Sequence, residues 1–397
     1  MANVLPTTSI VAKEALRVLK NNLSFSRNVN RDYQDEFKNG DYSSGQTINI
    51  KRPPKYEYRA GRVAVPQDTV KTTIPLTLSQ GGTDLQFTML ERTLSISRLG
   101  DVIQSAMSVV TNQIDLQGLQ VARLSVGNTV GTVGTYPASQ AAAIQLLTQA
   151  QQKLSENSAP YDGFRSAVLS PAMNAALVQG TAGLFNSNAS IGKQNETGRF
   201  VRGFGLNLAE DQNIPVHVNG TAASFTVNGA GQTGNTLIVN AVSGTIRQGS
   251  VVTFTGVNAV NPVSRQDTRS LQQFVVTADV ANGATSVPIY PPIQAAGPLQ
   301  SVTASPANGA TGTIFGGANA TYETDFVYHR DAFTLAMVPM AEPEAGMGAK
   351  VSQESDDGFT VKVTKFYDGI NDNGIWRLDV LFGWCATYPE LAVKMVA

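Results

Sequence analysis

Between Val216 and Ala318 the chain carries charge only at Arg247, Arg265, Asp267, Arg269 and Asp279, with no lysine or glutamate. Asn-Gly pairs fall at 219–220, 228–229, 282–283 and 308–309. Between them lie "SFTVN", "NTLIVNAV", "SVVTFTGV", "LQQFVVTADV" and "TSVPIY", short runs rich in β-branched residues. Such runs punctuated by Asn-Gly predict hairpins of an all-β unit, because the turn needs positive φ and the runs suit a pleated surface. The stretch 216–318 therefore reads as a small barrel or sandwich inserted into a longer chain.

The flanks alternate helix and strand patterns. Ile10, Val11, Ala15, Val18 and Leu19 predict an amphipathic helix over 9–23 capped by Ser9. A charged stretch follows and ends in an Asn39-Gly40 turn. Residues 46–88 alternate but show no consistent apolar face, with prolines at 53, 54, 66 and 75. A two-stranded excursion of this kind is marginal in water, so it is expected to lie on something, such as a neighbouring chain. Ile103, Met107, Val110, Ile114, Val121 and Leu124 predict a long helix over 101–124, and a second spans 139–155. "RSAVLS" reads as a buried strand. Ser170-Pro171 then starts a helix that ends near Gly180, and an Asn/Gly/Ser-rich loop covers 186–198. After 319, "YETDFVYHRDAFTLAMVPM" and a hairpin joined by "DGINDNG" return to strands. The fold class expected is α+β, one domain split by the β module.

Charged residues make up 15% of the 397, below the usual ~25%, which points to a surface covered by something other than water, the competing reading being a merely polar Asn/Gln/Ser/Thr-rich surface. Net charge is −1 and the longest basic run is "KRPPK", too small a footprint for phosphate-driven reading of DNA. Cys385 is the only cysteine, so no intrachain disulfide forms. No apolar run is long enough for a membrane span, and the N-terminus lacks the apolar core of a signal peptide. Synthesis in a reducing cytoplasm is the simplest expectation.

Chemical motifs fail on context. "YHRD" matches the kinase His-Arg-Asp, but the metal-holding asparagine position is Ala336. "GAGQTG" matches G-x-G-x-x-G, but no lysine follows until Lys350. "YHRD" is expected within a strand, with Tyr328 and Asp331 on opposite faces, and "GAGQTG" in a turn. His217, His329 and Cys385 are too few and too separated for a metal site. One constellation remains: Arg265, Asp267 and Arg269, spaced by two, would face one way on an extended strand. They are the candidate intersubunit contact, an ion-pair patch that fixes register. A solvated hairpin tip is the competing reading.

The order of "AKEALRVLKNNLSFSRNVNRDYQDEF", "GQTINIKRP", "LQFTMLERTLSI", "QQKLSENSAPYDGFRSAVLSPAMNAALV", "YHRDAFTLAMVPM" and "GIWRLDVLFGWCATYPELAVKM" resembles the major capsid proteins of tailed double-stranded-DNA bacteriophages, in the short-tailed branch with an extra β domain. The resemblance implies an N-terminal arm and helix at 1–39 and an extended loop at 40–90. It implies a peripheral and axial core in two parts, 91–215 and 319–397, around the insertion at 216–318. The long spine helix belongs to the peripheral part. It also implies an icosahedral shell of hexamers and pentamers, assembled with scaffolding and portal proteins in the host cytoplasm. The shell would expand as DNA is packaged and touch it non-specifically. No catalysis, cofactor, metal or membrane is implied. The alternatives are a nanocompartment shell of the same fold and a virion decoration or carbohydrate-binding β protein.

Overall fold

The computed structural model describes residues 8–32, 47–56, 58–59, 61–64, 66, 72–88, 99–181, 202–341, 350–356 and 358–397. The expected Asn39-Gly40 turn and the 186–198 loop lie outside them. Two compact units form: one from Met1–Ile50, Ile74–Gly118 and Thr334–Cys385, the other from Lys51–Thr73, Leu119–Phe333 and Ala386–Ala397.

In the first unit, helix α1 (Thr8–Asn22) lays Val11, Ala12, Ala15, Leu16, Val18 and Leu19 against strands Lys350–Asp356 and Phe359–Asp368. The helix begins at Thr8, so Ser9 lies inside it rather than at its cap. Strand Asn373–Cys385 pairs antiparallel with 359–368 across the "DGINDNG" turn, as the alternation predicts. Phe359, Val361 and Val363 face the core.

Strand Ser79–Thr88 runs antiparallel to Asn373–Phe382 along its whole length. Ile50 of strand Thr47–Arg52 and Leu76 of strand Thr72–Thr77 are buried with Leu78, Ala336, Val338 and Cys385. The expectation that 46–88 has no core and rests on another chain is therefore corrected at both ends of the stretch. Local alternation gave no hint of strand partners three hundred residues away.

Helix α2 (Leu99–Ser125) enters this unit by its N-terminal part. There Asp115, buried, accepts hydrogen bonds from the backbone N–H of Ser24 (2.8 Å), Phe25 (3.3 Å) and Ser26 (3.0 Å), and from the Ser26 hydroxyl. Phe25 stacks on Trp384 at 5.3 Å, and Trp384 Nε1 donates to the Ile114 carbonyl (3.1 Å). Gly118 is required here: a Cβ would sit 2.6 Å from the Trp384 ring.

In the second unit, strands run Thr129–Gly131, Ala392–Val396, Thr321–His329, Arg165–Leu169, Leu206–Glu210 and Arg202–Gly203 in that order across one sheet, with Val216–Val218 on the start of 321–329. Helices α3 (Gln140–Glu156) and α4 (Pro171–Thr181) bury Ala143, Leu147, Ala150, Leu154, Met173 and Leu177 against it. The Ser139 and Ser170 hydroxyls cap the two helices, accepting from the N–H of Ala142 and Met173.

"YHRD" departs from expectation. The strand stops at His329, and Arg330–Ala332 form a single 3-10 turn whose Asp331 N–H bonds to the His329 ring. Asp331 is thus off the strand and has no face opposite Tyr328.

The 216–318 segment supplies six antiparallel strands ordered Gly234–Ile238, Ser286–Ile293, Asp267–Val276, Val251–Val260, Thr311–Ile314 and Ser224–Thr226. A bridge between Val227 and Val239, with Asn240 N–H donating to the Thr226 carbonyl (2.9 Å), joins the first strand to the last and closes a barrel. Phe225, Phe254 and Phe274 interlock edge-on at its centre. Asn228-Gly229 and Asn282-Gly283 sit at hairpin turns with positive φ at the glycine, and "GAGQTG" lies in the first of them. Asn219-Gly220 does not. Asn219 is buried and its amide donates to the carbonyls of Phe315 (2.7 Å) and Gly317 (2.8 Å), tying together the two chain crossings into the barrel.

Candidate assembly surfaces

Exposed segments whose apolar side chains have no home in their own chain mark surfaces for a partner. Among the described residues, the most exposed large apolar side chains lie in three regions.

The first is the described part of 53–66, where every residue but Pro54 is exposed. Tyr58 is 94% exposed and Val63 78%. Arg59 shapes the bend by donating to the carbonyls of Gly61 (2.6 Å) and Val63.

The second is the tip at 366–373. Ile370 is 94% exposed, and Tyr367 donates to Asp372 (2.7 Å), a bond that raises the phenol pKa.

The third is the connection 261–269 in the barrel. Asn261 anchors it: its Oδ1 accepts from the N–H of Val263 and Ser264, and its Nδ2 donates to the Glu156 carbonyl (2.9 Å) at the end of α3. Val263 projects, 78% exposed. Arg265, Asp267 and Arg269 all lie here, but not on one flat face. Arg265 and Arg269 take left-handed φ of 59° and 60°, which breaks the two-residue alternation. Arg265 turns inward onto the carbonyls of Pro298 and Gln300. Asp267 accepts from Asn258 Nδ2 (3.1 Å) and from the Arg269 N–H (2.7 Å). Arg269 is exposed.

Sequence reading missed a buried polar cluster in the second unit. Lys394 is fully buried and donates to the Gly249 carbonyl (3.0 Å). Arg123 donates to His217 Nδ1 (3.1 Å), which leaves Nε2–H for the Ser250 hydroxyl (3.3 Å). Burial, with Lys394 and Arg123 adding repulsion, pushes His217 down to about 3 and keeps it neutral. Burial and Arg123 together push Lys394 down to about 7. On the neighbouring strand, burial pushes Asp325 up to about 7 although Ser170 donates to its Oδ1; its Oδ2 has no partner among the described residues. The signal available beforehand was one lysine inside the apolar run "LAVKMVA".

These two groups predict a dip in stability. Folded Asp325 holds its proton up to about pH 7 against 3.8 for the ordinary carboxyl, so its contribution is full below 3.8 and is lost as pH rises to about 7. Lys394 is the reverse: its contribution is full above 10.5 and is lost as pH falls to about 7. Denaturation midpoints between pH 4 and 10 should pass through a minimum near neutrality. Asp325→Asn should flatten the acid limb and Lys394→Met the alkaline one. Slopes unchanged in both variants would refute the assignment.

Among the described residues no helix is long and apolar enough to cross a membrane, and no group of His, Cys, Asp and Glu is placed to hold a metal ion. A helix-backed sheet, a long helix, a two-stranded extension and an inserted barrel make the α+β fold of a tailed-phage major capsid protein, a structural subunit of a multimeric shell. A structure from Mycobacterium phage Che8 shares it at 12% identity and a TM-score of 0.50, over 94% of this chain and 90% of that one. Weaker likenesses extend to the asymmetric unit of the bacteriophage PhiM1 mature capsid (11% identity, TM-score 0.44, 89% and 83% covered). They extend also to a virus-like particle from Pyrococcus furiosus (8%, 0.40, 97% and 97%). Nothing matches among curated protein sequences. The chain belongs to the P22 coat protein family, described as P22 coat protein, gene protein 5, whose model matches residues 2–396. It is a capsid protein of the virion and not an enzyme.

Proposed function

We propose that this coat protein assembles in the host cytoplasm as a procapsid on a scaffolding protein, with a portal at one vertex. The shell expands as double-stranded DNA is packaged and touches it only non-specifically. The family match supports this reading, and so do a net charge of −1 and a longest basic run of only "KRPPK", a small footprint for reading DNA sequence. In this reading residues 1–39 are the arm, 40–90 the extended loop, 91–215 and 319–397 the split core, and 216–318 the insertion. The observation that carries it is the exposure of Tyr58 and Val63 in the described part of 53–66, side chains free to meet a neighbouring subunit. Many modest contacts of this kind, multiplied by closure, hold a shell while letting early errors dissociate.

Arg265, Asp267 and Arg269 remain the proposed intersubunit patch, with Asp267 and Arg269 its exposed members and Arg265 its internal support. Negative-stain microscopy of the chain co-expressed with a scaffolding partner tests both points. Closed particles are expected for the unmodified chain. Arg269→Glu should lower their yield while the subunit's melting temperature stays unchanged. Closed particles at full yield from Arg269→Glu would remove the patch, and no particles from the unmodified chain would remove the procapsid reading.

A further inference from the structure

The barrel segment carries Asn-Gly pairs at 219–220, 228–229, 282–283 and 308–309. Such pairs are prone to spontaneous deamidation, since glycine puts no Cβ in the way of ring closure. Two conditions must be met. The glycine N–H must be free to lose its proton and attack, and the asparagine amide must be free to swing onto it.

The pairs differ on both counts. Asn219 is buried, and its Nδ2 donates to the carbonyls of Phe315 and Gly317. The Gly283 N–H donates to the Val242 carbonyl (2.8 Å), and Asn282 Oδ1 accepts from the Gly244 N–H (2.9 Å). The Gly309 N–H donates to the Val227 carbonyl (2.8 Å), and Asn308 Oδ1 accepts from the Gly229 N–H (2.8 Å). Asn228 differs from all of these. It is exposed, and its side chain has no hydrogen bond among the described residues. The N–H that would attack it is held by the side chain of Asn308, itself exposed. A backbone carbonyl lets go only when the chain around it opens, whereas an exposed side chain changes rotamer on the picosecond-to-nanosecond scale.

From this we infer that Asn228 is a deamidation site gated by Asn308. When the Asn308 side chain turns away, the Gly229 nitrogen gives its proton to hydroxide and bonds to Asn228 Cγ. The Cγ–Nδ2 bond breaks, ammonia leaves and a succinimide remains. Water then opens the ring at either carbonyl, to aspartate or isoaspartate. The modified residue lies on the barrel's seam: the Asn228 N–H donates to the Ile238 carbonyl (3.1 Å), next to the Val227–Val239 bridge. Gln232 braces the same turn, its Nε2 donating to the carbonyls of Asn228 (2.8 Å) and Gly229 (3.2 Å). Isoaspartate lengthens the backbone at this point and pulls the seam out of register. Either product adds a negative charge to residues 216–318, where three arginines against two aspartates leave only +1.

Peptide mapping by mass spectrometry, on the folded subunit held in mildly alkaline buffer, tests this. Asn228 should be lost faster than Asn219, Asn282 and Asn308, and its lead should vanish in denaturant. Asn308→Ala should speed loss of Asn228 about tenfold, the factor expected when one hydrogen bond of ordinary net strength is removed. Asn308→Asp keeps the acceptor oxygen and should not speed it. Asn282→Ala, at another turn of the barrel, should leave it unchanged. Loss of Asn282 or Asn308 ahead of Asn228, a lead that persists in denaturant, or an Asn228 rate indifferent to Asn308→Ala overturns the assignment.

Discussion

Asp115→Ala should lower the unfolding free energy by about 4 kcal/mol or more, seen as a large drop in the denaturant midpoint. One carboxylate, itself buried, serves three backbone N–H groups and a hydroxyl of the Ser24–Ser26 turn. Its removal strands those donors, and each buried unsatisfied donor costs about 1–3 kcal/mol. The turn also seats Phe25 against Trp384, so the apolar contact loosens with the polar one. Asp115→Asn should recover part of the loss, since one acceptor oxygen survives. A midpoint unchanged in Asp115→Ala would show that the turn holds without its anchor.

Phe254→Ala should cost about 3–5 kcal/mol, the usual range for deleting a fully buried aromatic ring. The ring packs edge-on against Phe225 at 6.0 Å and Phe274 at 5.8 Å, and Gly312 is small enough to let it lie there. The barrel has a hydrophobic cluster of its own, so the damage should stay local. Amide exchange should accelerate across strands 224–226, 251–260 and 311–314 while strand 165–169 keeps its protection. Uniform acceleration in both would mean that the barrel has no stability of its own.

Much of the local structure was legible because its causes are local. The 3.6-residue spacing of Ile103, Met107, Val110 and Ile114 found α2, and Ser170-Pro171 marked the start of α4. Alternation at Phe359, Val361 and Val363 found a strand that is buried on that face. What escaped depends on distant partners. Ser79–Thr88 looked unsupported because its partner begins at Asn373. Closure of the barrel rests on Val227 meeting Val239, which no window of sequence displays. The ion-pair patch was spaced for a flat strand, but positive φ at Arg265 and Arg269 turned the side chains apart. Left-handed backbone at arginine has no compositional signal. Arg52, Tyr290 and Glu390 likewise meet only in the folded chain.

Hydrogen exchange of residues 53–66, compared between free subunit and assembled shell, bears most directly on whether this exposed stretch waits for a neighbour. Covered by another copy, its amides should exchange about tenfold more slowly or better in the shell, having been fast in the free chain. Equal rates in the two states would contradict the account.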